Sequence, residues 1–144
     1  IANKDAYRLR VINLSLGKPV LESWMDDPLV QAVERASRAG LVVVTSAGNW
    51  GTLPDGTKVR DSITSPGNAP SAITVGAVDT MGTPVRSDDR IADWSSRGVT
   101  AIDGFMKPDV SAPGRRIVSA GSELSTLAMK EGAVRMGVAT SLYL

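Results

Sequence analysis

A strand, a helix and a second strand follow one another directly near the start of this sequence, and this order constrains the fold more than any other feature. Arg10–Gly17 is a short run rich in β-favouring residues that ends at glycine. Leu41–Ala47 begins with four consecutive apolar residues, which is typical of a strand buried on both faces of a parallel sheet. A helix between two such strands predicts a βαβ unit with a right-handed crossover.

The segment between these strands carries the start and stop signals of a helix over residues 28–39. Asp26–Pro28 gives an acidic cap region with a proline suited to the first turn, and Gly40 follows as the C-terminal stop. Glu34 and Arg38 have the spacing of an ion pair on one helix face. The apolar face comprises Leu29, Val30, Ala32, Val33 and Ala36.

The remaining segments extend this pattern to an α/β fold. Ala72–Val78 is predicted to be a third strand, and residues 1–9 have a helix-like spacing of apolar residues without an N-terminal cap. Shorter extended pieces are predicted around residues 91–94, 109–112 and 116–119. No repeat or linker divides the sequence, so we expect a single domain over residues 1–144, built on a parallel sheet sandwiched by helices.

Composition excludes several kinds of site. The chain has no cysteine and no histidine, which excludes disulfides, thiolate zinc sites, cysteine nucleophiles and a self-contained Ser-His-Asp triad. With 16 Lys and Arg against 15 Asp and Glu, the net charge of +1 argues against a nucleic-acid binder. The apolar runs are far shorter than the ~20 residues that cross a bilayer, so we expect neither a membrane helix nor a membrane partner.

Small and polar residues follow the first two strands, at the edge where parallel α/β sheets bind ligands. Ser15–Gly17 ends the first strand and Ser46–Gly51 ends the second. Asn49 would present an amide donor there, which suits a developing oxyanion because the donor transfers no proton. The alternative is a turn asparagine that bonds its own loop. Gly48–Gly51 lacks the glycine fingerprint and the lysine of nucleotide-binding loops, so a phosphate site is the weaker interpretation.

Short motifs are spread between residues 10 and 114, and their order is informative. They are Val11–Gly17, Val42–Asn49, Ser65–Pro66 leading into Ile73–Asp79, Trp94–Gly98 and Lys107–Gly114. In this order and approximate spacing they resemble the subtilisin-like serine protease family, peptidase S8. The resemblance implies a subtilisin-like fold, hydrolysis of peptide bonds and an extracellular location, because members of the family are mostly secreted.

Residue by residue, the resemblance implies a substrate-binding cleft. Ser15-Leu16-Gly17 matches the strand that pairs with the peptide substrate and forms one wall of the primary specificity pocket, and Ser46-Ala47-Gly48 matches the opposite wall. Asn49 matches the asparagine that donates into the oxyanion hole. Pro66 matches a proline that follows a cis peptide bond. Asp109 lies near a weak cation site of some members, but no clear motif supports calcium or another metal, so we expect no cofactor.

The family's catalytic residues have no match in this chain. Its Asp and His precede the substrate-binding strand, and its nucleophilic Ser lies in a later Gly-Thr-Ser-Met segment. Ser141 instead follows Ala139-Thr140 and precedes Leu142, so it is interpreted as a strand or loop residue ahead of the nucleophile. We therefore expect a central fragment of a serine endopeptidase, incomplete at both ends and inactive alone, whose intact parent acts on peptide or protein substrates.

This interpretation has a structural consequence and an alternative. The helices that carry His and Ser in the family would be missing, so apolar sheet surface should be uncovered and the isolated fragment should self-associate. The alternative function is a non-catalytic α/β fragment that binds peptides or associates with itself.

Overall fold

The computed structural model describes residues 1–117 and, as backbone strands, residues 136–138 and 141–143. The chain forms two compact units, Ile1–Gly114 and Arg115–Leu144. The first unit contains the sheet, the helix and all of the predicted site residues.

The helix α1 (Pro28–Arg38) confirms the predicted helix, and its first turn explains where it begins. The Asp27 carboxylate accepts hydrogen bonds from the backbone N–H groups of Leu29, at 2.9 Å, and Val30, at 3.4 Å. These groups have no partner within the first turn of a helix, so the cap satisfies them. Gly40 has a φ of +81°, the left-handed conformation that favours glycine just after a helix.

A five-stranded, mostly parallel sheet forms the centre of the first unit. The strands β1 (Val11–Leu14), β2 (Val42–Ser46) and β3 (Ile73–Asp79) are parallel neighbours in that order. The short β4 (Arg90–Ile91) pairs antiparallel with the end of β3, and β5 (Val110–Pro113) pairs parallel with β3. The predicted α/β class and its parallel sheet are therefore confirmed.

The remaining described elements are short. A 3₁₀ helix covers Arg86–Asp88. In the second unit, β6 (Met136–Val138) and β7 (Ser141–Tyr143) form an antiparallel pair, so Ser141 lies in a strand. The extended piece predicted at residues 116–119 lies partly outside the described residues, and its first two residues are not in a strand.

The core lies between α1 and one face of the sheet. Val30 and Val33 of the helix are 0% and 3% exposed and pack with Val43 of β2. The same cluster contains Ala36, Leu41, Ala69 and Ala72, with Ile12, Leu14 and Trp24 at its margin. Each fully buried Val or Leu contributes ~1.5–3 kcal/mol, so this layer holds the helix against the sheet.

The opposite face of the sheet is uncovered over much of its area. Val42 is 47% exposed although Val43 is buried, so the prediction that this strand is buried on both faces is wrong for the described part of the chain. The register places Val11 beside Val42 and Val110 beside Val75, and both Val11 and Val110 are more than half exposed. In the described part of the chain, the expected exposed apolar sheet surface is therefore present.

The prediction of a helix at residues 1–9 is wrong. This segment forms consecutive turns, in which Arg8 has a φ of +51° and the Leu9 N–H donates to the Lys4 carbonyl at 2.8 Å. The segment has no capping side chain, and an uncapped first turn leaves its N–H groups without partners.

The predicted ion pair between Glu34 and Arg38 is also wrong. The backbone N–H and the hydroxyl of Ser71 donate to the two Glu34 carboxylate oxygens at 2.9 and 2.8 Å. Glu34 is only 4% exposed, and a buried carboxylate is costly unless it is hydrogen-bonded. The carboxylate therefore turns inward and ties α1 to the turn that precedes β3.

Candidate functional site

Two adjoining cavities lie at the carboxyl ends of the parallel strands, where the site was predicted. One, of about 320 Å³, lies over the ends of β1, β2, β3 and β5. The other, of about 360 Å³, lies between residues 15–17 and 46–48. Ser15, Ser46 and Asn49 border both cavities. The structure thus brings the two predicted segments together around one cleft.

The segments predicted as pocket walls face each other across the second cavity. Ser15-Leu16-Gly17 lines one side, and Ser46 and Gly48 line the other. The Ser46 hydroxyl donates to the Leu16 carbonyl at 3.1 Å, which ties the two walls together. Ala47 does not line this cavity. It is 1% exposed and borders the first cavity instead.

Thr64 lies between the two walls, and sequence reasoning did not single it out. A Cβ on Gly17 would lie 2.6 Å from Thr64 Oγ1, and a Cβ on Gly48 would lie 2.7 Å from Thr64 Cγ2. Gly48 also has a φ of +110°, which side chains other than glycine's rarely tolerate. A side chain on either glycine would therefore collide with Thr64, and one on Gly48 would also lie 2.8 Å from Ser96 Oγ.

The one sequence signal for Thr64 was its position beside a recognised motif. It directly precedes Ser65–Pro66, whose predicted cis peptide bond is confirmed. The Thr64 N–H donates to the Ala47 carbonyl at 2.9 Å, which fixes this segment against the end of β2.

Asn49 lies at the rim shared by the two cavities, and its side chain is exposed. Its carboxamide makes no hydrogen bond to another described residue, including those of its own loop. A carboxamide supplies two N–H donors, so at this position it can donate to an oxygen atom of a bound ligand.

The loop that carries Asn49 is held by the segment Trp94–Ser96. The Gly51 N–H donates to the Trp94 carbonyl at 3.0 Å, and the Ser96 N–H donates to the Gly48 carbonyl at 2.9 Å. The Trp50 N–H donates to the Ser96 hydroxyl oxygen at 3.0 Å. The backbone on both sides of Asn49 is therefore fixed.

An ion pair anchors the first wall to α1. Lys18 directly follows Gly17, and its Nζ lies 2.7 Å from Asp27 Oδ2. The backbone of Lys18 also exchanges two hydrogen bonds with Ser65, at 2.9 and 3.0 Å. Burial raises the pKa of Asp27, but hydrogen bonds from Lys18 and the first N–H groups of α1 hold that pKa below its ordinary value of 3.8.

Asp109, which the resemblance places near a cation site, is paired with an ammonium group. Lys107 Nζ lies 2.7 Å from Asp109 Oδ2 and donates to the Ala72 carbonyl at 2.8 Å, while the Thr74 N–H donates to the same carboxylate at 2.7 Å. Burial raises the pKa of Asp109, but these bonds from Lys107 and Thr74 hold it below its ordinary value. Among the residues that the structure describes, no group of three or more Asp or Glu side chains could hold a metal ion.

Comparison with known proteins gives one consistent family. The model of the subtilase family, Peptidase_S8, matches residues 2–141. Serine protease AprX from Bacillus subtilis (strain 168) is 42% identical over 129 residues, which are 88% of this chain and 28% of that protein. Membrane-bound transcription factor site-1 protease from Homo sapiens is 30% identical over 119 residues, which are 79% of this chain and 10% of that protein. The chain thus spans a minor part of these relatives' length.

Solved structures agree with this comparison. The S41 psychrophilic protease superposes with a TM-score of 0.61 and 30% sequence identity, over 83% of this chain and 37% of that chain. Sphericase superposes with a TM-score of 0.60 and 28% identity, over 82% of this chain and 36% of that chain. The fold of this chain is therefore similar to part of each of these two structures.

Proposed function

Because this chain belongs to the subtilase family, we propose that it forms the substrate-binding and oxyanion-stabilising part of a serine endopeptidase. The catalytic Asp, His and nucleophilic Ser would come from sequence outside these 144 residues. This is supported by the absence of histidine from the chain and by its coverage of 28% of the AprX protease. The reaction is the hydrolysis of a peptide bond in a protein substrate, and it requires no cofactor.

The two walls are proposed to bind an extended peptide. The substrate backbone lies along Ser15-Leu16-Gly17, and the side chain that precedes the cleaved bond enters the cavity between this wall and the opposite wall, Ser46 and Gly48. Thr64 favours a small side chain at that position, because its Oγ1 and Cγ2 already occupy the space between the two glycines.

Asn49 is proposed to stabilise the oxyanion. Attack of the serine oxygen on the peptide carbonyl places a negative charge on the carbonyl oxygen, and the Asn49 amide donates a hydrogen bond to it. Such a donor is effective because it is oriented before the charge develops. The observation that carries this proposal is the exposed Asn49 carboxamide, which bonds no other described residue and lies at the rim of both cavities on a loop with a fixed backbone.

The test is Asn49→Ala in the complete protease that contains this chain. We expect kcat to fall by ~10²–10³, the loss typical when one oxyanion donor is removed from subtilisin, with little change in KM, because the bond forms only in the transition state. Asn3→Ala removes another exposed asparagine, outside both cavities, and should leave kcat unchanged. Full turnover by Asn49→Ala would contradict the proposed role.

A second candidate function is a non-catalytic chain that binds peptides or associates with itself. The observation that favours it is the exposed apolar face of the sheet, which includes Val11, Val42 and Val110. Peptide binding along Ser15–Gly17 without any hydrolysis by the complete protein would support this alternative over the protease.

An extracellular location remains part of the proposal and rests on the family. One relative is named as membrane-bound. In the described part of this chain, no helix is long and apolar enough to cross a membrane.

A further inference from the structure

Ser96 holds both peptide groups that flank Asn49. Its N–H donates to the Gly48 carbonyl at 2.9 Å, and its hydroxyl oxygen accepts from the Trp50 N–H at 3.0 Å. The Gly48 carbonyl belongs to the planar peptide group before Asn49, and the Trp50 N–H belongs to the one after it. Since φ and ψ of Asn49 describe how these two planes turn about its Cα, one residue restrains both angles.

Ser96 is itself fixed to the body of the first unit. It is 1% exposed. On one side of it, the Ser95 hydroxyl oxygen accepts a hydrogen bond from the Ala77 N–H of β3 at 2.9 Å. On the other side, the Arg97 N–H donates to the Ser62 hydroxyl oxygen at 3.0 Å. The position of the Asn49 backbone is therefore set relative to the sheet.

We infer that Ser96 is a positioning residue for the Asn49 carboxamide; the inference rests on the proposed oxyanion role of Asn49. The Asn49 side chain makes no hydrogen bond in the described part of the chain, so its backbone sets the point from which the carboxamide extends. An oxyanion donor works only when it is held at hydrogen-bond distance from the position that the oxyanion will occupy. Ser96 borders neither cavity and so acts without touching the substrate.

The first test is Ser96→Ala in the complete protease. This variant keeps the N–H donor but removes the acceptor for the Trp50 N–H. We expect kcat to fall by ~10–100-fold with KM close to that of the wild type, because a small misplacement of a catalytic donor affects only the transition state. Thr100→Ala is the control: it removes a hydroxyl of equal burial, which accepts a hydrogen bond from the Phe105 N–H rather than from the Asn49 loop, and it should retain kcat.

A double-mutant cycle separates positioning from a general structural effect. Since Ser96 acts through Asn49, Ser96→Ala should cause no further loss of kcat in the Asn49→Ala background. Equal losses in both backgrounds would overturn the inference. If Asn49→Ala lowers kcat and Ser96→Ala does not, only this inference fails; if Asn49→Ala itself retains kcat, the proposed oxyanion role fails and this inference fails with it.

A second measurement needs no activity. The Trp50 amide should be protected from hydrogen exchange in the wild type although the residue is 48% exposed, because its N–H donates to Ser96. The protection should be lost in Ser96→Ala and kept in Thr100→Ala. An unprotected Trp50 amide in the wild type would overturn the inference directly.

Discussion

Thr64 shows how a single residue sets the dimensions of the proposed substrate pocket. Its Oγ1 and Cγ2 lie where side chains on Gly17 and Gly48 would have to be, so the two walls and the threonine fit together only as they stand. In closely packed groups of this kind, removing a side chain leaves extra space, whereas adding one strains the neighbouring atoms.

Thr64→Ala should widen the pocket. We expect kcat/KM for a peptide with a bulky side chain before the cleaved bond to rise by roughly 10-fold relative to one with a small side chain, the size of effect that one or two carbon atoms produce in an apolar pocket. The measurement is kcat/KM of the complete protease for the two peptides. Thr100→Ala removes an equally buried threonine outside both cavities and should leave the ratio unchanged. An unchanged ratio in Thr64→Ala would show that Thr64 does not limit the pocket.

For single residues, the sequence predicted roles that follow from a position after a strand and from a match to a family motif. It did not predict roles that depend on contacts between distant segments of the chain. The two wall segments and Asn49 were found because they follow strands and match a family pattern. Thr64 was not found, and Ser96, although it lies in the motif Trp94–Gly98, was given no role, since nothing in the local sequence shows that they meet Gly17 and the Asn49 loop in the fold. Their roles come from packing and hydrogen bonds between distant segments.

At the scale of elements, α1 was the most predictable part of the molecule because its signals are local. Asp27 caps the first turn and Gly40 follows the last, and both lie within a few residues of the groups they satisfy. The partner of Glu34 was not predictable, because Ser71 is far away in sequence. The strand pattern alone did not predict the exposure of Val42, since an apolar run does not reveal which of its faces is covered; that exposure was expected only from the family resemblance.

The Asp27 cap makes a prediction about pH. Its pKa is lower in the folded chain than its ordinary value of 3.8, so the ionised form favours folding. This stabilisation is complete above that ordinary value and is lost as the pH falls through the lower, folded-state pKa. Asp27→Asn keeps an acceptor for the cap but loses the charge that pairs with Lys18.

We therefore expect the free energy of unfolding to decrease less steeply below pH 3.8 in Asp27→Asn than in the wild type. The measurement is urea unfolding at a series of acidic pH values. Asp26→Asn makes the same change at an exposed neighbour and should follow the wild-type curve. Identical curves for Asp27→Asn and the wild type would contradict a stabilising ion pair with Lys18.

For the whole molecule, the important feature is the difference between the two faces of the sheet. One face packs against α1, while the other exposes apolar residues that include Val11, Val42, Ile73 and Val110. The α/β class was predictable from the order of strand, helix and strand. The covering of each sheet face was not predictable from that order, because it depends on contacts with residues that are distant in sequence.

The isolated 144-residue chain should self-associate through this face, since exposed apolar patches of a sheet tend to be buried against another surface. We expect sedimentation velocity to show dimers or larger species that dissociate on dilution. Val42→Glu should shift the chain towards monomer, whereas Leu21→Glu places the same charge at a residue that is 78% exposed and outside the sheet, and should not. A wild-type chain that sediments as a monomer at every concentration would refute this.

The most direct test of the proposed protease is peptide hydrolysis in the presence and absence of a serine-directed phosphonate inhibitor. The complete protein that contains this chain should hydrolyse peptides and lose that activity on phosphonylation, because its nucleophile is a serine. The isolated chain should hydrolyse nothing at a comparable rate, since it contains no histidine to act as the base. Inhibitor-sensitive hydrolysis by the isolated chain, or a complete protein with no peptidase activity, would contradict the account.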